Sequence, residues 1–266
     1  MFKIIYNKMS NINSTLENGV LEIVLNRPKV FNSVNKENAE LLQKILLEAA
    51  NNKEIRAIVI TGEGKAFCAG QDISELIDSE GPDLTTIVSE HYNPIVIAIR
   101  SIEKPVIAAV NGVAAGAGAN IALACDIVIA KQSASFIQAF SKIGLIPDSA
   151  GTFFLPRLIG MQKATALMMT GDKVSASDAE AMGMIYKAVS DEDFDSYYKE
   201  FANKLAAMPT KGLGLTKKAL NESFTNNLHQ QLNLESDLQT IAGHTNDFKE
   251  GIAAFTEKRN PVFKGE

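Results

Sequence analysis

The chain is poor in the residues that disulfide-rich, nucleic-acid-binding and membrane proteins require. Its 266 residues include only two cysteines, Cys68 and Cys125, which form neither a CxxC pair nor a disulfide framework. With 26 lysines and arginines against 31 acids, the formal net charge is −5, so nothing favours binding to phosphate backbones or acidic membranes. Neither a membrane-spanning run nor a signal peptide is recognisable. We therefore expect a cytoplasmic protein without nucleic-acid or membrane partners.

Several common catalytic motifs are also missing. Gly116 and Gly118 follow a predicted strand, but the third glycine of a dinucleotide fingerprint would stand at Ile121. A phosphate-binding loop, a zinc-protease HExxH motif and a GxSxG elbow do not occur. Polar surroundings are predicted for each of the three histidines, which are His91, His229 and His244. The sequence predicts no metal site and no cofactor, and it predicts that Cys68 is a packed small residue.

Hydrophobic patterning predicts an α/β core followed by helices. Strands are expected at 19–26, 55–62, 104–112, 126–130 and 134–140, with helices at 36–52, 84–102, 116–125 and from about 151. Beyond residue 192 the strand pattern stops, and helices are predicted at 193–207, 211–223, 228–242 and 246–257. The predicted organisation is a loose extension over 1–12 with Met9 as an alternative start, an α/β core over 13–192, and a helical region over 193–266.

Two glycine-rich turns follow apolar strands, CAGQD at 68–72 and NGVAAGAGAN at 111–120. Both are expected at the carboxyl ends of strands, where α/β sheets bind ligands. Backbone amides there can stabilise negative charge that develops on an oxygen. Close packing of a helix on a strand explains small residues equally well, and the sequence leaves both interpretations open.

A single carboxylate, Asp148, interrupts the apolar run GLIPDSAGTFFLP at 144–156. Aspartate is a favoured N-cap residue, so its side chain could accept the free amides of a helix beginning near Ser149. Alternatively, an acid beside an apolar pocket has its pKa raised by desolvation and can act as a proton carrier. The stretch itself does not decide between the two roles.

The segments CAGQDI, KPVIAAVNGVAAGAGANIALACDIVIA, GLIPDSAGTFFLPRLIG and LMMTGDKVSASDAEAMGMI together resemble the enoyl-CoA hydratase/isomerase family, the crotonases. The resemblance spans nearly the whole chain. It implies the α/β crotonase fold, a ClpP-like spiral of ββα units with a C-terminal helical trimerisation region. It also implies a substrate carried as its coenzyme A thioester and a homotrimer or dimer of trimers.

The resemblance also implies roles for individual residues. The backbone amides of Gln71 and Ala117 match the pair that binds the thioester oxygen in the family. Hydratases of the family carry two glutamates at the positions of Asn120 and Phe140, whereas isomerases carry an acid at the position of Asp148. The implied reaction is therefore isomerisation of the acyl group through Asp148. A hydratase in which Asp148 positions water and a non-catalytic acyl-CoA-binding subunit remain alternatives.

Substrate contacts follow from the same resemblance. The coenzyme A moiety is expected along Lys65, Ala66, Ala69 and Ile73, with Phe263 and either Lys258 or Lys264 added, in some assemblies by a neighbouring subunit. Asn120 and Phe140 are expected to line the acyl pocket. An aromatic pocket, for which core packing is the alternative, would be formed by Phe136, Phe140, Phe153 and Phe154.

Overall fold

Two sheets form the centre of the protein. The computed structural model describes residues 3–6, 11–77 and 81–266. Its strands are β1 (Lys3–Tyr6), β2 (Ile12–Glu17), β3 (Val20–Leu25), β4 (Ala57–Gly62), β5 (Ala66–Cys68), β6 (Val106–Val110), β7 (Val113–Ala115), β8 (Ile127–Lys131), β9 (Ser135–Ile137), β10 (Lys173–Ser175) and β11 (Lys187–Val189). A seven-stranded sheet has the order β1-β2-β3-β4-β6-β8-β11, and a four-stranded sheet has the order β10-β9-β7-β5.

Helices follow the strands and fill the last quarter of the chain. They are α1 (Lys36–Asn51), α2 (Ile73–Ile77), α3 (Leu84–Thr86), α4 (Asn93–Ser101), α5 (Ala117–Ala124), α6 (Gly151–Ile159), α7 (Met161–Thr170), α8 (Ala176–Ala181), α9 (Phe194–Ala206), α10 (Thr210–Glu222), α11 (Leu228–Gly243) and α12 (Asn246–Glu257). A π-helical segment, Ile87–Tyr92, joins α3 to α4, and a 3-10 helix covers Ala139–Ile143.

The repeating unit is one strand in each sheet followed by a helix. Strands β4, β6 and β8 are successive parallel neighbours in the large sheet, while β5, β7 and β9 are successive parallel neighbours in the small sheet. An isolated parallel bridge between Val34 and Gln71 extends the small sheet by the unit that contains β3 and α1. This succession is the predicted spiral of ββα units, and the fold prediction is confirmed.

The main core lies between the two sheets and helices α1, α4 and α5. Ile58, Ile60, Ala108 and Val110 turn one face of the large sheet toward this core. Alternate residues of β4, β6 and β8 point to the opposite face, where α9 packs over them; they include Val59, Ile107 and Ile129. Strands covered on both faces have to be apolar throughout, which is why β4 and β6 are continuous hydrophobic runs.

Buried ion pairs attach the C-terminal helices to this core. Lys217 of α10 is 2.8 Å from Asp126, which precedes β8, and its ammonium also donates to the Ile99 carbonyl at 2.6 Å. Arg100 of α4 pairs with the other carboxylate oxygen of Asp126 at 3.0 Å. Burial lowers the pKa of Lys217, while the charge of Asp126 opposes this shift. Helix α10 is thus fixed to α4 and to the segment that precedes β8.

Several local predictions from the sequence are wrong. Residues 3–6, assigned to a loose extension, form an edge strand paired with β2, whereas Met9 lies outside the described residues. The strand predicted at 134–140 ends at Ile137 and continues as 3-10 helix. Short strands β5 and β7 lie at the glycine-rich turns and were not predicted.

The helices predicted after residue 192 are confirmed within about one residue at each end.

Candidate active site

The two glycine-rich turns meet at Gly70. Its φ of +90° lies in the left-handed region that favours glycine. A β-carbon there would lie 2.9 Å from the Ala115 carbonyl oxygen and 3.3 Å from the Ala117 nitrogen. From the sequence, the small residues of these turns could serve either close packing or a ligand site. The structure shows the close packing, and this packing places the amide of Ala117 beside the segment that contains Gln71.

Local backbone geometry orients the Gln71 amide. Gln71 forms a parallel bridge with Val34 through the residues on either side of it. The Gly70 carbonyl accepts from the Val34 amide at 2.8 Å, and the Asp72 amide donates to the Val34 carbonyl at 2.9 Å. Successive amides of an extended chain point to opposite sides. The Gln71 N–H therefore points away from Val34, toward the side on which the turn before α5 packs.

The Ala117 amide is the first of helix α5. The initial amides of a helix have no intrahelical acceptor, and they lie at the positive end of the helix dipole. Gly116 caps the helix at φ +53° and provides no side-chain acceptor. Among the backbone hydrogen bonds of the described residues, none has the backbone N–H of Gln71 or Ala117 as its donor. Two neighbouring free donors of this kind can bind a developing oxyanion.

Asp148 is not a helix N-cap. Helix α6 begins at Gly151, its N-cap is Ala150, and no side chain caps it. Asp148 participates in the turn through its carbonyl, which accepts from the Gly151 amide at 2.8 Å. Its carboxylate accepts a hydrogen bond from the Ser149 hydroxyl at 2.9 Å. The N-cap interpretation of Asp148 is therefore wrong, because its carboxylate accepts no amide of α6.

Asn120 connects the Asp148 turn to helix α5. Its side-chain amide donates to the Asp148 carbonyl at 2.9 Å, and its carbonyl oxygen accepts from the Gln138 amide at 2.8 Å. Asn120 is fully buried and stands three residues after Ala117, on the same face of α5. A β-carbon at Gly151 would come within 2.3 Å of this amide, so the turn packs directly on Asn120. The predicted pocket residue thus holds the backbone of the predicted acid.

Two carboxylates near the turns have pKa values shifted in opposite directions. Desolvation by burial raises the pKa of Asp148, and the hydrogen bond from Ser149 only partly offsets this. Burial also acts to raise the pKa of Asp72, but hydrogen bonds from Ser74 and the Arg27 guanidinium, 2.8 Å away, bring it below its usual value. A raised pKa suits a proton carrier, whereas Asp72 is held as a permanent anion.

Of the four phenylalanines suggested for an aromatic pocket, Phe140 has its ring beside Gly116 of the second turn. The tip of its ring would be 3.8 Å from a β-carbon at Gly116. Phe136 belongs to the main core, and Phe154 packs with Val96 and Ala124. Phe153 is 37% exposed and lies at right angles to the ring of Phe224 on the outer surface. The alternative of core packing therefore holds for Phe136 and Phe154, and Phe153 packs against Phe224 and Arg157.

The residues predicted to contact coenzyme A fall into two groups. Lys65, Ala66, Ala69 and Ile73 lie along the segment from β5 into α2; Lys65 is exposed, Ala66 is buried and Ile73 is 63% exposed. Phe263 follows α12, where its ring lies against Gly251 and its carbonyl accepts from Arg56 at 2.9 Å. These contacts place Phe263 on the C-terminal helices and not at the turns of the same chain.

Reactivity of the cysteines and histidines is limited by burial. Burial raises the pKa of the Cys68 thiol to about 11, which confirms the prediction of a packed, unreactive residue. His91 was predicted in polar surroundings, but it is 2% exposed, and neither ring nitrogen has a partner among the described residues.

Residues 3–6, 11–77 and 81–266 contain no cluster of three or more metal-ligating side chains. None of the helices in these residues has the length and apolar character of a membrane span.

Sequence reasoning missed Tyr92 and Gln138. The Tyr92 hydroxyl donates to the side-chain oxygen of Gln71 at 3.0 Å, and Gln138 holds Asn120. No spacing rule marks either residue, since Tyr92 lies in an apolar helical pattern and Gln138 inside a predicted strand. In the structure, Tyr92 ends a π-helical segment, and such segments are frequent at functional sites.

Comparison with known proteins identifies the family of the chain. Residues 15–266 match the family described as enoyl-CoA hydratase/isomerase. The chain is 47% identical to the 1,2-epoxyphenylacetyl-CoA isomerase of Escherichia coli over 97% of this chain and 100% of that protein. It is 34% identical to the short-chain-enoyl-CoA hydratase of Clostridium acetobutylicum over 95% and 97% of the two chains. A crystal structure of an enoyl-CoA hydratase from Bacillus anthracis, 34% identical, superimposes with a TM-score of 0.90 over 97% of this chain and 100% of that chain. The chain belongs to the enoyl-CoA hydratase/isomerase family, and it is an enzyme of the crotonase fold.

Proposed function

We propose that this enzyme is an acyl-CoA isomerase in which Asp148 moves a proton between two carbons of the acyl group. The observation that carries the proposal is the environment of Asp148. Its pKa is raised by burial, and hydrogen bonds from Asn120 and Gly151 hold its backbone beside the first turn of α5. Asn120 and Phe140 stand where hydratases of the family carry glutamates, so water activation by a carboxylate pair is not available.

The proposed reaction starts with the thioester oxygen on the amides of Gln71 and Ala117. Ionised Asp148 removes a proton from the α-carbon, and the electron pair of that C–H bond moves into the thioester as an enolate. The two amides stabilise the negative oxygen. Protonated Asp148 then returns its proton to another carbon conjugated with the enolate, such as the γ-carbon of a 3-enoyl group. No atom is gained or lost, so the reaction needs no cofactor.

Two acyl groups fit this chemistry. One is 2-(1,2-epoxy-1,2-dihydrophenyl)acetyl-CoA, which would rearrange to an oxepin thioester. The other is a linear 3-enoyl-CoA, whose double bond would move from the β,γ to the α,β position. Identity of 47% to an isomerase of the aryl epoxide supports the first, and Phe140 beside Gly116 supplies one aromatic wall. Both reactions require one base at the α-carbon and one oxyanion hole.

The purified enzyme should isomerise both thioesters and hydrate crotonyl-CoA only weakly. We expect hydration to be at least about 100-fold slower than isomerisation, because a second acid/base group typically contributes that factor. Ultraviolet absorbance follows the enoyl thioester, and liquid chromatography separates the oxepin product. Equal rates of hydration and isomerisation would make the enzyme a hydratase that uses Asp148 to position water, and turnover of none of these thioesters would favour a binding subunit.

We further propose that the chain assembles as a homotrimer or a dimer of trimers through its C-terminal helices, in the cytoplasm. Large apolar side chains are exposed on α11 and α12, including Leu228 (71%), Leu232 (53%), Ile252 (55%) and Phe255 (85%). Exposed apolar surface of this extent is typical of an interface. Sedimentation equilibrium should give three or six times the 28.7 kDa chain mass, and a stable monomer would contradict the assembly.

A further inference from the structure

The side chain of Gln71 is held between two partners. Its carbonyl oxygen accepts from the Tyr92 hydroxyl at 3.0 Å, and its NH₂ group donates to the Glu75 carboxylate at 2.7 Å. The other carboxylate oxygen of Glu75 accepts from the Lys36 amide at 2.8 Å, at the start of α1. Gln71 is therefore connected to the π-helical segment, to α2 and, through Glu75, to the start of α1. An oxyanion hole made of backbone amides does not itself require this side chain.

Tyr92 is an unusual anchor for this side chain. It is fully buried, and it ends the π-helical segment Ile87–Tyr92, which widens the helix and turns both His91 and Tyr92 inward. The pKa of Tyr92 is raised chiefly by burial and further by the neighbouring acidic groups, Cys68 and Asp148 among them. The phenol therefore stays neutral and donates its hydrogen bond, in the same electrostatic environment as the proposed proton carrier.

We propose that Tyr92 is a positioning residue for the oxyanion hole: its hydroxyl fixes the Gln71 side chain and thereby the direction of the Gln71 amide. The bridge to Val34 holds the peptide groups on either side of Gln71. The bridge alone would still allow the segment around Gln71 to rotate about the bridge axis. The contacts of the Gln71 side chain with Tyr92 and Glu75 prevent this rotation. This inference rests on the proposed function, because it assigns Tyr92 to the hole proposed there.

The test compares two tyrosines that lose the same group. Tyr92→Phe removes the hydroxyl next to Gln71. Tyr198→Phe removes the hydroxyl of another buried tyrosine, which is 5% exposed and donates to Glu22 at 2.8 Å on the opposite face of the large sheet. Phenylacetyl-CoA labelled with carbon-13 at the thioester carbonyl is the probe. Its infrared carbonyl band should move to lower frequency when the wild-type enzyme binds it, because two aligned donors polarise the C=O bond.

We expect Tyr92→Phe to lose at least half of this band shift and to lower kcat about tenfold, with KM changed less than twofold. Tyr198→Phe should keep the shift and kcat while losing a similar amount of stability. Gln71→Ala retains the backbone amide but not the anchored side chain, so it should reproduce the loss, and the double variant should be no worse than either single variant. Gln71→Ala also keeps the test decisive if Tyr92→Phe fails to fold.

The outcomes separate this inference from the proposed function. A full band shift and full kcat in Tyr92→Phe and Gln71→Ala would overturn the positioning role and leave the oxyanion hole intact. Additive losses in the double variant would also overturn it, because independent effects are not transmitted through one contact. If the wild-type enzyme itself produced no band shift, the oxyanion hole and the proposed function would fail together.

Discussion

Asp148→Asn is expected to lower isomerase turnover by about 10²- to 10⁴-fold, the usual contribution of a positioned acid/base group. Asparagine has the same shape and can still accept the hydrogen bond that Ser149 donates. It cannot take a proton from carbon. Binding of coenzyme A should therefore change little, and the loss should appear in kcat.

Stability should move in the opposite direction from activity. Because burial raises the pKa of Asp148 in the folded state, its ionised form disfavours folding at neutral pH. Asp148→Asn removes that charge, so the free energy of unfolding in urea should be unchanged or higher. A variant that is inactive because it is unfolded would instead show a lower free energy of unfolding. Wild-type turnover in Asp148→Asn would show that Asp148 is not the proton carrier.

The pH profile provides a matched control. The base must be ionised, so kcat/KM should fall with decreasing pH through the pKa of Asp148, at a pH above the ordinary aspartate value of 3.8. The Ser149 hydroxyl lowers this pKa. Ser149→Ala should therefore keep turnover but move the acidic limb to higher pH. A limb that does not respond to Ser149→Ala would belong to another group.

Gly70→Ala should have the second large effect. Its β-carbon would come within 2.9 Å of the Ala115 carbonyl and 3.3 Å of the Ala117 nitrogen, so the two turns have to separate. Loss of one oxyanion donor typically costs about 10²- to 10³-fold in kcat. We expect a loss of at least that size, together with loss of the infrared band shift of bound phenylacetyl-CoA.

Gly160→Ala separates backbone strain from this steric effect. Gly160 also has positive φ, +80°, but a β-carbon there would have nothing within 4 Å. With ψ of 155° it lies in a region that only glycine adopts readily, so Gly160→Ala should destabilise the protein by about 1–3 kcal/mol through strain alone and leave kcat unchanged. If Gly70→Ala and Gly160→Ala had the same kinetics, the contact between the turns would have no catalytic importance.

Hydrophobic patterning was sufficient for the regular parts of the fold. Strands β3, β4 and β6 and helix α1 are long and strongly apolar on their buried faces, and they were located within about two residues. Strands β5 and β7 were missed because each has only three residues and lies next to glycines, where no alternation can develop. Their existence depends on pairing with each other and with β9, which local sequence does not encode.

The site was predictable as far as its backbone and not in its supporting contacts. Glycine-rich turns after apolar strands pointed to the two segments, and family resemblance pointed to the Gln71 and Ala117 amides within them and to Asp148. The N-cap alternative failed because Ser149 and Ala150 adopt left-handed φ of +50° and +59° and delay the helix until Gly151. The roles of Asn120 and Tyr92 arise from contacts 28 and 21 residues apart in the chain, and tertiary packing alone creates them.

The most direct measurement is exchange of the α-protons of phenylacetyl-CoA with deuterium from D₂O, followed by proton NMR. It requires only a base at the α-carbon and an oxyanion hole, whichever acyl group is the natural substrate. The wild-type enzyme should exchange these protons rapidly, and Asp148→Asn should reduce the rate at least about 100-fold, with Gly160→Ala at the wild-type rate. Exchange at an unchanged rate in Asp148→Asn would contradict the assignment of Asp148 as the proton carrier.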